Sequence, residues 1–164
     1  DSVPACNVMY KSEVFEENRY DSEVNVGEDA EFHYRLSNAG YQFVFDPQTS
    51  VHHHLSPSIS DFFDKNFSYG EAMAKIQAKH QKVIRWYSFL PASALVAATT
   101  SLAFSDNRDE LLKKYIYISI PLLLYSFSYV WKKESFSLSW YVLLLLPTQY
   151  ISYGLGFIAG ILSD

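Results

Sequence analysis

The chain has 164 residues, of which 49% are hydrophobic and 17% aromatic, enough for one ordinary domain or for a small domain with membrane helices. Its net charge of -5 comes with no cluster of Lys and Arg interleaved with aromatics, which excludes a nucleic-acid surface built on phosphate contacts. The one cysteine, Cys6, excludes an intrachain disulfide and a cysteine-based zinc site.

The charge is unevenly spread. Residues 1–85 hold 13 acidic and 8 basic side chains, whereas residues 86–164 hold five of each in an otherwise apolar stretch. The chain opens on Asp1 rather than Met, and no charged, apolar, small-residue leader follows, so it reads as an internal start.

In chain order, residues 5–9 read as a short strand with Cys6 a small buried residue on it. Ser12 is placed to cap a short helical turn through Phe15. Residues 18–26 are polar and read as a loop. A helix is expected from about Glu28 to Asn38, with acidic residues in its first turn as the helix dipole favours. Asn38-Ala39-Gly40 suits its C-terminus, Gly40 taking the left-handed conformation. Residues 41–45 alternate weakly and read as a strand, stopped by Asp46-Pro47. The polar half is therefore expected to be mixed α/β.

Ser58 or Ser60 can cap the next helix, which should run to about Lys82. Phe62, Phe63, Phe67, Met73 and Ile76 form an approximate helical stripe, with Asp64, Lys65, Glu71, Lys75 and Lys79 elsewhere on the surface. Such a helix can lie on a membrane or pack on its own domain; the cations Lys75, Lys79, Lys82 and Arg85 before the first apolar segment favour the membrane.

Three uncharged segments follow, residues 86–104, 115–131 and 138–162, of 19, 17 and 25 residues. Each lies within the length range of about 17–25 residues that crosses a bilayer core. Trp86, Tyr87, Tyr115, Trp131, Trp140 and Tyr141 fall at segment ends, where interfacial aromatics belong. The expected layout is a partial catalytic domain over residues 1–60, an amphipathic juxtamembrane helix over 61–85, and an all-α membrane region of three helices over 86–164. With three crossings and residues 1–85 cytosolic, Lys75, Lys79, Lys82, Arg85, Lys132 and Lys133 lie inside, against Arg108, Lys113 and Lys114 outside. Six cations against three support a cytosolic catalytic part and place Asp164 on the far side.

Glu28 and Asp29 are the first candidates for chemistry. A carboxylate at a helix N-terminus is held ionised by the dipole and by the free backbone N–H groups. That state suits a general base. By spacing alone, a Glu-Asp pair at this point reads first as an ordinary helix cap.

The ordered set Asn7, Val14-Phe15, Tyr20-Asp21, Gly27-Glu28-Asp29, Arg35-Leu36, Ala39-Gly40-Tyr41, Val51 and His52-His53-His54 resembles the second half of the catalytic domain of family-2 glycosyltransferases. The likeness covers about residues 3–70. It implies the acceptor half of a GT-A nucleotide-sugar transferase domain, incomplete at its start. It also implies Asp29 as the base that takes the acceptor proton, with Glu28 beside it. By the same resemblance Asn7 borders the acceptor or donor pocket, and a His after the strand lies near the donor diphosphate and its divalent metal, Mg or Mn. The alignment favours His53, then His54, as metal ligands. Arg35 lies six residues after Asp29, about 600 degrees around a helix and so on another face. It can reach a phosphate of the substrate or pair with Glu31 one turn earlier, the simpler expectation.

Two features depart from the family. No Asp-x-Asp motif precedes Glu28, so these residues alone are not expected to bind a nucleotide sugar or turn over. Gln81 stands four residues before Arg85-Trp86, one too many for the Gln-x-x-Arg-Trp motif of processive synthases. The expected function is that of the C-terminal part of a transferase moving sugar from a nucleotide donor to a lipid-linked or glycan acceptor at the cytosolic membrane face, in contact with membrane lipid. The competing expectation is a non-catalytic, membrane-anchored interaction module.

Overall fold

The structure, a computed structural model, describes residues 5–52, 58–81 and 85–163. Among these residues it contains helices and connecting segments but no strand, so the α/β expectation is overturned. Residues 5–7 form a 3₁₀ turn with Cys6 exposed, and residues 41–45 are irregular. The reason is topological: a strand is stabilised by a ladder, and neither segment has a partner to pair with among the described residues.

The polar half is built on α1 (Ser12–Glu17) and α2 (Glu28–Asn38). Ser12 is the first residue of α1, not its cap; Lys11 occupies the cap position without a side-chain bond. Val14 of α1 and Phe32 and Leu36 of α2 form a small core, walled by Tyr10, Phe15, Tyr41 and Phe43. Burying a residue such as Phe32 contributes about 1.5–3 kcal/mol. Gly40 follows α2 at φ +90°, as its sequence position foretells, and the Tyr41 N–H returns to the Leu36 carbonyl at 3.0 Å.

The long helix α3 (Ile59–His80) is capped by Ser58, whose hydroxyl accepts the Asp61 N–H at 3.1 Å. A 3₁₀ turn at Trp86–Ser88 leads into α4 (Phe89–Phe104). Then come α5 (Arg108–Lys133), the single turn α6 (Phe136–Ser139) and α7 (Val142–Leu162). The most extensive helix packing joins α3 to α7. It is made possible by glycine: a Cβ on Gly70 would strike the Tyr153 carbonyl, one on Gly156 the Phe67 carbonyl, and one on Gly160 would stand 2.6 Å from the Glu71 carbonyl oxygen. Phe157 fills the space between α3 and α4, against Met73, Ala74 and Ala92. Gln77 of α3 donates to Ser88 Oγ at 2.9 Å and so ties the end of α3 to the start of α4.

Two stretches, Trp86–Phe104 and Phe136–Leu162, are long and apolar enough to cross a membrane. The expected third span is not among them. Its uncharged run, residues 115–131, includes four Tyr, three Ser and Pro121, which dilute the apolar content although no charge interrupts it. In α4 the hydroxyls of Ser93, Thr99, Thr100 and Ser101 bond back to carbonyls of their own helix, which lets an Ser/Thr-rich segment present an apolar surface.

Candidate active site

The site grows from the turn before α2. Gly27 stands at the N-cap with φ +75°, a left-handed backbone that disfavours any residue with a Cβ. A Cβ there would also approach Ile76 Cδ1 to 3.2 Å, so the same glycine lets the start of α2 sit close to α3. Its carbonyl accepts the Glu31 N–H at 3.0 Å and begins the helix. Glu28 and Asp29 occupy the first turn and are half-buried. Asp29 Oδ1 accepts the Ala30 N–H at 2.7 Å. The carboxylates therefore lie at the positive end of the dipole, beside N–H groups that favour their charged form.

Two faces of α2 carry buried polar groups. One turn below Asp29, His33 is wholly buried, and its Nε2 is hydrogen-bonded to the Tyr10 hydroxyl. Burial pushes the His33 imidazole below its usual range, against a smaller upward pull from Asp29. Burial, together with a bond to the Tyr20 hydroxyl, pushes the Tyr10 phenol upward. On the other face Glu31 is wholly buried. Its Oε1 accepts from Arg35 Nε at 2.7 Å and from His80 Nε2 at 2.9 Å, while Oε2 is buried without a hydrogen bond. Arg35 also donates to the Arg19 carbonyl at 2.6 Å, so its guanidinium braces the 18–26 loop. Lys79 of α3 completes that brace by binding Asp21 and Glu23, each at 2.6 Å. Between residues 23–26 and α3 runs a groove of about 610 Å³, with Val24, Val26, Ala72 and Ile76 among its apolar walls and Lys75 and Lys79 along its edge.

The sequence of residues 3–162 matches the family model of glycosyl transferase family group 2. The chain belongs to that family. No curated protein and no solved structure matches it. Membership makes this a transferase whose chemistry is glycosyl transfer, which calls for a nucleotide-sugar donor and an acceptor.

The residues singled out in this glycosyltransferase are not all brought together. Glu28 and Asp29 share the first turn of α2; Arg35 lies on the Glu31 side and makes the pair its spacing suggests. Asn7 is exposed at the end of the first 3₁₀ turn. His53 and His54 lie outside the described residues, and His52 is exposed. Among the described residues no group of three His, Cys, Asp or Glu side chains could hold a metal ion. Sequence reasoning missed His33, Tyr10 and His80. The i, i+4 spacing from Asp29 marks His33 as facing the same way, which is the one signal that could have found it.

Proposed function

We propose that Asp29 is the general base of sugar transfer to a hydroxyl acceptor. Its carboxylate takes the proton of the acceptor hydroxyl as that oxygen bonds to the anomeric carbon, and the nucleotide diphosphate leaves with the electron pair of the broken glycosidic bond. Glu28, its neighbour on the same turn, contacts the acceptor. The observation that carries this reading is the Gly27-Glu28-Asp29 turn: two half-buried carboxylates at a helix N-terminus in a chain of this family. The acceptor we favour is lipid-linked, because the turn adjoins the apolar-walled groove on α3, and α3 packs on a segment apolar enough to enter a bilayer.

The membrane arrangement we infer has two crossings, by Trp86–Phe104 and Phe136–Leu162. Two crossings return the chain to the side it left, and the α3–α7 packing agrees. Gly156 and Gly160, in the C-terminal half of α7, meet Phe67 and Glu71 of the charged helix α3. The C-terminal end of α7 then lies on the same side as α3 rather than opposite it. Lys132 and Lys133 move to the far side, giving four near cations against five far ones, so charge no longer favours a cytosolic catalytic part. The cytosolic orientation rests instead on where nucleotide sugars are supplied.

The test uses membranes from cells with and without the intact gene, so that whatever flanks these residues is present. Radiolabelled UDP- and GDP-sugars are added and the organic-extractable fraction is counted. Gene-dependent label in that fraction is the expected result. Label only in water-soluble glycan would replace the lipid-linked acceptor with a glycan, and no gene-dependent label with any donor would refute transfer.

A further inference from the structure

We propose that His33, held by the Tyr10 hydroxyl one turn behind Asp29, is a positioning residue for the Asp29 carboxylate. Residues four apart on a helix present their side chains to one another, with Cβ atoms about 6 Å apart. His33 is the residue four after Asp29, and nothing of it is exposed. Its ring is fixed from several sides: Phe43 meets it edge-on at 5.0 Å between centroids, and Tyr10 and Phe32 flank it at 5.8 and 6.3 Å. The Tyr10 hydroxyl takes up Nε2, and the Tyr20 hydroxyl stands 3.4 Å from that of Tyr10. The ring is thus packed among aromatic neighbours and hydrogen-bonded, four residues along α2 from Asp29. The Asp29 charge pulls the pKa of both His33 and Tyr10 upward, in keeping with that i, i+4 spacing.

The consequence is chemical. A neutral imidazole leaves the carboxylate its basicity, whereas an imidazolium would stabilise the carboxylate and weaken it as a proton acceptor. The groups that set the His33 charge are Asp29 on its own helix, Tyr10 from the segment before α1 and, through Tyr10, Tyr20 from the loop after it. This role rests on the reading of Asp29 as base, but the test below observes the pair itself.

The protein is labelled with ¹³C,¹⁵N-histidine, purified in detergent, and titrated by NMR, with the His33 signals assigned by their loss in His33→Gln. In the unaltered protein His33 should titrate below the ordinary histidine range. Asp29→Asn should move it lower still, because a charge that favours imidazolium is gone. Tyr10→Phe, which keeps the ring packed on Phe15 and Phe32, should change the Nε2 shift. Asp29 is half-buried on the first turn of α2 and Tyr10→Phe removes only a hydroxyl, so both variants should fold even if His33→Gln does not; in that case the His33 signals are those that remain when His52, His53, His54 and His80 are replaced by Gln. An identical His33 titration in Asp29→Asn, or an Nε2 shift indifferent to Tyr10→Phe, overturns the proposal. A coupled pair in an enzyme whose transfer does not depend on Asp29 would defeat the base assignment alone.

Discussion

His33 and Glu31 are polar residues that α2 buries completely, and each brings a consequence of its own. His33 is held with its pKa below the usual 6.5, so the folded chain binds fewer protons at this site than the unfolded chain does. Stability must therefore rise with pH through the ordinary histidine range, and the loss appears as the pH falls below about 6.5. Thermal melts between pH 5 and pH 8 should show a falling midpoint on the acid side, with a flatter profile in His33→Gln. Asp21 has the opposite chemistry and the same direction: Lys79 holds its carboxyl below the usual 3.8, so its contribution is present above that value and lost as the pH falls through the lowered one. Glu31 matters through its partners Arg35 and His80. Glu31→Ala would remove the acceptor of both Arg35 and His80 and should cost about 2–3 kcal/mol by chemical denaturation. Arg35 is a third exposed and can recover water, whereas the buried end of the network cannot; a cost below about 0.5 kcal/mol would show that the network does not hold α2 to α3.

At the scale of elements, the α3–α7 contact rests on the absence of side chains. Gly70→Ala and Gly156→Ala each place a methyl group against a backbone carbonyl of the partner helix, which cannot swing aside as a side chain can. Each should destabilise by about 1–3 kcal/mol, and a pair of cysteines engineered across the contact should cross-link less readily in these variants. Unchanged melting and cross-linking would mean that the helices do not approach this closely. The elements also show what local sequence can tell. The bounds of α2 were legible because their signals are local: the acidic Glu28-Asp29 pair in its first turn, Gly40 after it, and the Glu31–Arg35 spacing within it. The strand expected at 41–45 is absent. Phe43 does turn inward onto His33 while Val44 and Phe45 are 92% and 84% exposed, but alternation cannot supply the partner that makes a strand. For α5 the count of uncharged residues misled, since Tyr and Ser carry no charge yet add little to burial in lipid.

For the whole molecule, two stretches rather than three are long and apolar enough to cross a membrane, a departure from the sequence expectation. The missing third span follows from local composition, residues 115–131 being diluted by Tyr, Ser and Pro121, whereas the meeting of α7 with α3 joins elements that begin more than 80 residues apart and lies beyond local sequence. The same distance hid part of the candidate site: Tyr10 lies 23 residues from His33, and His80 lies 49 from Glu31. The two-crossing arrangement predicts that a cysteine at Ser163 is labelled by an impermeant maleimide from the same side as Cys6, and one at Asn107 from the opposite side, each measured in sealed vesicles with Cys6 replaced by Ser. Labelling of positions 6 and 163 from opposite sides would restore an odd number of crossings.

The central claim is that this family-2 glycosyltransferase uses Asp29 as its base. The most direct measurement replaces Asp29 by Asn in the gene at its own locus and compares initial rates of sugar transfer in isolated membranes, with the amount of protein matched. A general base contributes about 10²–10⁴-fold, and the account predicts a loss of that size in kcat. Transfer within a few-fold of the unaltered enzyme would contradict it and point to an acceptor that is already ionised, such as a phosphate.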